Sequence, residues 1–298
     1  MEVAREIKKD TIKPLKPLTK KDLALKLGVS RSSLYYEPKR PALDLELKFQ
    51  IETVMAAHKS YGHKRIAWEL KMNKKRILRV MKKFGLKPYR RRVFKPTKKD
   101  DLGKPPTKYD NLIKGWCPIR PNVVWVSDFT YIRYKGRFIY LATIMDLYTR
   151  EIVGWNVARS HNKELVIGAL LGAMRRTGTV PIYLHSDQGS EYESGEYIML
   201  AESNNITISM SKKGSPWENG FQESFYSEFK VDLGHTDRFE LLGELIEAIH
   251  LQIHEYNTDR IHTSLKMNPV QFRDQYHDKL KNITNKNVFT TLSKELGT

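Results

Sequence analysis

Val123-Val-Trp-Val-Ser-Asp-Phe-Thr-Tyr-Ile132 is the stretch whose reading decides the fold. It is dense in β-branched and aromatic residues, which fit a pleated, half-buried strand. Yet it holds a carboxylate, Asp128, among Val124, Val126, Phe129 and Tyr131. An acid embedded in apolar strand sequence has to be paired, neutralised or bound to a metal. Lys135-Gly136 marks a turn, Phe138 to Met145 reads as the returning strand, and Glu151 to Ala158 as a third. The period then changes. Glu164 to Arg176 predicts a helix, and Pro181 to Ser186 a short strand ending at Asp187. Gly195 to Asn204 is helical and Ile206 to Met210 is the fifth strand. Asn219 to Lys230 and Phe239 to Tyr256 predict two more helices. A three-stranded meander followed by alternating helices and strands is an α/β pattern: a mixed sheet with helices on its faces.

Towards the amino terminus the texture is helical and basic. Thr19 with Asp22 resembles a capping box, and Leu23, Ala24 and Leu27 supply an apolar face. Gly28 allows a sharp turn, Ser30 caps a second helix and Pro38 stops it. Ala24, Gly28, Val29 and Leu34 fall where a helix-turn-helix needs a small residue, a turn glycine and two core residues. That reading turns Arg31, Ser32, Ser33 and Tyr35 outward to DNA; the alternative is a plain helical hairpin. Ile66 and Leu70 mark another short helix, and Asn73 caps the next. There Ile77, Val80, Met81 and Phe84 form the buried stripe, and Gly85 ends it. Lys64, Arg65, Lys74, Lys75, Arg76 and Arg79 lie on the other faces and suit phosphate contact. Pro88 to Pro121 reads as a linker, in which Arg90, Arg91 and Arg92 are either solvated or laid along a DNA groove. The expected organisation is a helix-turn-helix region (1–60), a second helical DNA-binding region (61–87), a basic linker (88–120), a catalytic core (121–277) and a polar tail (278–298).

Charge follows the same division. Of the 298 residues, 1–120 carry 33 Lys and Arg against 12 Asp and Glu, while 121–298 carry 19 against 22. A balance of +21 in the first part repels itself unless a polyanion is present, which points to nucleic acid. The longest apolar run, Leu165 to Met174, is ten residues, half a membrane span. The first twenty residues are charged, with no visible secretory signal. The single cysteine, Cys117, permits no internal disulfide and no cysteine zinc cluster. The expectation is a soluble protein acting in the cytoplasm, associated with the nucleoid, with no membrane partner.

Three acids stand out by position. Asp128 sits within the first strand. Asp187 ends the fourth, at the carboxyl edge where α/β sheets collect ligands. Glu223 lies on the helix after the fifth, where Phe221, Phe225 and Phe229 are expected to form the buried stripe. Lys230, seven residues after Glu223, shares another face with it.

With these residues in view a resemblance is plain. Trp125-Val-Ser-Asp-Phe-Thr-Tyr131, His185-Ser-Asp-Gln-Gly-Ser190 and Lys213-Gly-Ser-Pro-Trp-Glu-Asn-Gly-Phe-Gln-Glu-Ser-Phe225 resemble the three catalytic blocks of the retroviral-integrase-like (DDE) transposases. They are most similar to the second-frame product of a large class of bacterial insertion sequences. The 35 residues between Asp187 and Glu223 are the spacing of that family. Lys230 matches its basic residue. Tyr256-Asn257, Arg260, His262 and Pro269 resemble its closing motif, and Tyr61-Gly-His-Lys-Arg-Ile66 its preceding helical domain. The resemblance implies a ribonuclease-H-like core in which Asp128, Asp187 and Glu223 hold two Mg2+ ions, with Mn2+ able to substitute. It implies nicking of the element's ends and joining of the freed 3′-hydroxyl to target DNA. Lys230, Lys212, Lys213 and the helix start at Asn219 would position the strands. It also implies a homodimer or larger assembly on DNA, and an upstream-frame DNA-binding partner.

Three rivals exist. His235-Thr-Asp-Arg238 with Tyr256 or Tyr276 spells a weak tyrosine-recombinase pattern, expected by chance in a chain with this much histidine and arginine. A nuclease that cuts without joining has no use for the basic amino-terminal part. A non-enzymatic DNA-binding regulator has no reason to keep three unpaired acids.

Overall fold

The computed structural model describes residues 19–35, 40–89, 108–211 and 220–295, with side chains described to residue 283. The chain divides into two compact units, 1–47 and 48–298, so residues 61–87 belong to the same unit as the core. In the first unit, α1 (Lys20–Lys26) begins as its sequence predicts, with the Asp22 N–H donating to the Thr19 hydroxyl at 3.3 Å. Gly28 takes the left-handed turn at φ 63°. The expected second α-helix is instead a 3-10 helix of five residues, Arg31–Tyr35. Val29 is exposed and Leu34 only half-buried, so neither is core. The hydroxyls of Ser30, Ser32 and Ser33 account for this, because they bond to one another at 2.8 Å and compete locally with helix formation. α2 (Arg40–Ala57) follows, with its residues from Lys48 onward counted in the second unit.

In the second unit, α3 (His63–Glu69) and α4 (Lys74–Lys83) form a helical pair. Asn73 caps α4 by accepting the Lys75 N–H at 2.8 Å. Ile77, Val80 and Met81 are buried, and Lys74, Lys75, Arg76 and Arg79 are exposed around the rest of the helix. A five-stranded sheet then builds the core: β1 (Val124–Tyr134), β2 (Arg137–Asp146), β3 (Ile152–Ala158), β4 (Tyr183–Ser186) and β5 (Thr207–Met210). Its order is β3-β2-β1-β4-β5; the first three strands are antiparallel, and β4 and β5 run parallel to β1. The mixed sheet is the one the sequence predicts.

Alternation along the strands sends side chains to two cores. On one face Trp125, Ile144, Leu184 and Ile208 pack against α5 (Lys163–Thr177) and α6 (Gly195–Ser203). On the other, Leu141, Met145 and Ile152 meet Phe225, Phe229, Ile249 and Ile253 of α7 (Gly220–Leu233) and α8 (Leu242–Thr258). α5 approaches β3 so closely that a Cβ at Gly154 would lie 2.4 Å from the Ala169 carbonyl oxygen. The polar tail expected from residue 278 is a correction. α9 runs from Pro269 to Glu295, through a segment with no glycine or proline after its first residue to interrupt it.

Candidate active site

Register brings the two aspartates together. The last β1–β4 pair sets Val126 opposite His185, and Asp128 and Asp187 each stand two residues further on. Asp128 is paired on its other side with Thr143 of β2. The Asp128 carboxylate accepts the Phe129 N–H at 2.8 Å, and Asp187 accepts the Gly189 N–H at 3.1 Å. Gly189 lies between two acids: a Cβ there would come within 2.9 Å of Glu191 and 3.1 Å of Asp187.

Glu223 arrives from the other face on the first turn of α7, and two neighbours fix where that turn sits. Gln222 is fully buried, donates to the Val126 carbonyl at 2.7 Å and accepts from the Thr143 hydroxyl at 3.1 Å. Tyr226 donates to the Asp128 carbonyl at 2.6 Å and shares a 2.7 Å hydrogen bond with Thr143. The helix is thus bonded to the β1 backbone at Asp128 and two residues before it, and Glu223 is exposed beside the pair. One expectation fails here. Phe221 is 47% exposed, under the Arg150 guanidinium at 3.8 Å, while Gln222, Phe225, Tyr226 and Phe229 make the buried face.

The electrostatics follow from this crowding. Burial and the charges of Asp187 and Glu223 push the Asp128 carboxyl up to about 8, against the opposing Phe129 N–H and Lys230. Burial also raises Asp187, against the Gly189 N–H, with Glu191 and Glu193 adding to the rise. Three carboxylates from three elements meet here, and among the described residues Lys230 is a cation that opposes the rise at Asp128. Hard oxygen donors so placed fit a hard divalent cation, which would relieve their mutual repulsion. Lys230 lies over the Tyr131 ring at 4.6 Å.

The other sequence-predicted residues divide three ways. Arg31, Ser32, Ser33, Tyr35, Lys64, Lys74, Lys75, Arg76 and Arg79 are exposed. Arg65 instead pairs with Glu228 of α7 at 2.6 Å and donates to Thr263 at 3.1 Å. Arg90, Arg91, Arg92, Lys212, Lys213 and Asn219 lie outside the described residues. The tyrosine-recombinase pattern does not assemble. Tyr256 is buried and donates to the Arg150 carbonyl at 3.1 Å, and burial raises its hydroxyl well above the ordinary value. His235 and Arg238 sit exposed on a turn, with Arg238 over Phe239.

Sequence reasoning also missed a buried ionic cluster behind the site. Arg260 is 3% exposed and bonds Asp232, Glu228 at 2.9 Å and Ser60 at 2.8 Å. Burial works to raise Glu228, but Arg260 and Arg65 outweigh it and hold the carboxyl below its ordinary value. Tyr61, fully buried, stacks on His58 at 4.3 Å and accepts the Ile261 N–H at 2.6 Å. The 61–66 motif and the closing motif are therefore two halves of one contact. That they had family counterparts was legible; that they meet was not.

Residues 118–216 and 204–269 match the integrase core domain family. An uncharacterized 31 kDa protein of insertion element IS600 from Shigella sonnei is 34% identical, over 84% of this chain and 97% of its own length. The transposase for insertion sequence element IS904 from Lactococcus lactis is 32% identical, over 78% of this chain and 95% of its own. The chain belongs to the DDE-type insertion-sequence transposases. The HTLV-2 integrase catalytic core, solved in complex with magnesium, is similar to this transposase with a TM-score of 0.45 and 21% identity, over 52% of this chain and 98% of that one. The mixed sheet of the transposase is a ribonuclease-H-like core following an amino-terminal helical region. Among the described residues, no helix is long and apolar enough to cross a membrane.

Proposed function

We propose that the transposase nicks the ends of its element and joins the freed 3′-hydroxyl to target DNA, with both reactions in the Asp128–Asp187–Glu223 site. In the first, water attacks the phosphorus at the element's end. The bond to the terminal 3′-oxygen breaks, leaving a 3′-hydroxyl on the element and a 5′-phosphate on the flank. In the second, that hydroxyl attacks a target phosphorus and a target 3′-oxygen leaves, so phosphodiester bonds are exchanged without a covalent protein–DNA bond. Asp128, Asp187 and Glu223 would hold two magnesium ions, which would activate the attacking oxygen and stabilise the leaving one. Asp128 and Asp187 are set by strand register and by backbone N–H groups, so their oxygens are oriented before substrate arrives. Lys230, on the same helix as Glu223, would hold a phosphate of the end being joined.

The observation that carries this reading is the convergence of Asp187 and Glu223 on Asp128, with α7 bonded to the strand that bears it. The exposed cations of α1–α4 and the +21 balance of residues 1–120 fit DNA as the partner. Two ends must be joined, so a homodimer or larger assembly works on the DNA, alone or with the upstream-frame DNA-binding product. The setting is the cytoplasm, at the nucleoid. The test uses a radiolabelled element end in Mg2+ or Mn2+. Asp128→Asn, Asp187→Asn and Glu223→Gln should each lose nicking and joining by orders of magnitude while DNA binding survives, and chelation should abolish both reactions. Protein trapped covalently on DNA in the absence of metal would overturn the proposal.

A further inference from the structure

A cleft of about 680 Å³ opens beside the site, on the far side of Lys230, and none of the roles above uses it. Its walls carry Lys59, Tyr89, Tyr131, Arg133, Lys230 and Arg238. Tyr89 and Tyr131 are 57% and 58% exposed, high for large aromatic rings in a protein with two well-filled cores. The cations converge. A Cβ at Gly234, on the cleft floor, would lie 3.7 Å from the Arg238 guanidinium and 3.9 Å from the Lys59 ammonium. Among the described residues Lys59, Arg133 and Arg238 have no carboxylate partner. The one acid in the lining, Asp237, accepts the Lys135 backbone N–H at 2.7 Å. Four cations beside one acid repel one another unless an anion joins them.

Position adds direction. β4 pairs with β1 only as far as Val126, so Ile132 and Arg133 of β1, which line the cleft, lie beyond the end of that pairing. Lys230 is the shared wall: its charge acts on Asp128 on one side, and its ammonium caps the Tyr131 ring on the other. The Tyr89 N–H donates to the Lys59 carbonyl at 2.9 Å, and the chain then continues in sequence into Arg90-Arg91-Arg92. Exposed aromatic faces interleaved with cations are the chemistry that holds unpaired nucleotides, by stacking the bases and neutralising the phosphates. A cleft of this volume encloses a group the size of a base and excludes a duplex.

We propose that this cleft binds the unpaired nucleotides next to the reacting phosphate, with a base stacked on Tyr89 or Tyr131 and its phosphates on Lys59, Arg133 and Arg238. The inference builds on the reaction proposed above, since it is that reaction which puts a DNA end beside Lys230.

The test titrates the full-length protein, in EDTA, against a blunt duplex and the same duplex carrying three unpaired thymidines at one end. The tail should tighten binding about ten-fold or more. Tyr89→Ala with Arg238→Ala, both at exposed positions, should remove that gain and change blunt-duplex binding less than two-fold, at an unchanged melting temperature. A tail of abasic nucleotides should lose most of the gain. Equal affinity of the wild type for blunt and tailed duplexes would overturn the proposal. So would an abasic tail that binds as tightly as thymidines, or variants that weaken both duplexes alike. Strand joining in Mg2+ separates the two readings: a tail preference without joining sinks the reaction and leaves the cleft standing.

Discussion

Gln222 is the residue whose loss best tests how the site is built. It does no chemistry, yet it connects α7 to β1 next to both Asp128 and Glu223. Gln222→Met keeps the unbranched shape and the helix propensity but removes a donor and an acceptor. The Val126 carbonyl loses its 2.7 Å partner and the Thr143 hydroxyl its 3.1 Å one, in surroundings with no exposure to water. Buried polar groups left unmatched cost about 1–3 kcal/mol. For a folding unit of this size that lowers the melting temperature by about 2–12 °C. Among the described residues Tyr226 then makes the remaining side-chain hydrogen bond from the start of α7 to β1, and a displacement of about 1 Å in a reacting constellation costs on the order of 100-fold in rate.

The expected outcome is therefore a modest drop in melting temperature, a loss of about 100-fold in joining of a pre-nicked end, and near-normal DNA binding. Tyr226→Phe removes the companion bonds to the Asp128 carbonyl and Thr143 and should behave alike. Because both side chains bond Thr143, their effects on stability should not add. A Gln222→Met protein with a lowered melting temperature and wild-type joining would refute the reasoning: Glu223 would then be set by something other than these bonds.

Arg260→Ala should be the most damaging single change away from the site. It leaves Asp232 and Glu228 without their buried partner, a loss of about 3–5 kcal/mol read from urea unfolding; a cost under about 1 kcal/mol would show the cluster to be ornamental. Replacing Lys74, Lys75 and Arg79 by alanine should flatten the salt dependence of DNA binding by about 0.9 in log–log slope for each phosphate no longer neutralised, and an unchanged slope would remove α4 from the interface. In EDTA, Asp128 should make the protein less stable as pH rises. Its folded value of about 8 lies above the unfolded one near ~4, so the folded chain holds the proton more tightly and that advantage is lost through this window. Asp128→Asn should thus melt above the wild type at pH 8.5 and closer to it at pH 5; identical melting curves at both pH values would contradict the crowding of acids.

The sheet was legible because its strands announce themselves by composition, and Asp128 because an acid has no ordinary place in such a strand. The buried face of α7 was misread for a geometric reason. Phe221, Phe225 and Phe229 recur every four residues, and each step advances about 40° beyond a full turn, so the first and last diverge by about 80°. The face that packs instead passes through a polar residue, Gln222, which hydropathy scores as solvent-facing. Likewise Val29 and Leu34 fit a helix-turn-helix pattern, but Ser30, Ser32 and Ser33 satisfy each other locally and leave a 3-10 turn. The Arg260 cluster was illegible because its partners lie 28, 32 and 200 residues away in the chain.

α7 explains why these features occur together. Gln222, Phe225, Tyr226 and Phe229 face the sheet and set the height and rotation of the helix. Seven residues make nearly two full turns, so Glu223 and Lys230 fall within about 20° of each other and serve one site. Glu228, five residues from Glu223 and so about 140° around, points away from that site and takes Arg65 of α3 and Arg260. A fourteen-residue helix thus joins the acid site, the sheet and the helical pair that carries the basic face of α4. Since Arg65 commits its charge to Glu228, its place in the 61–66 motif is explained by attachment of the helical region to the core. Under the proposed function, phosphate binding would fall to the exposed cations Lys74, Lys75 and Arg76 of α4.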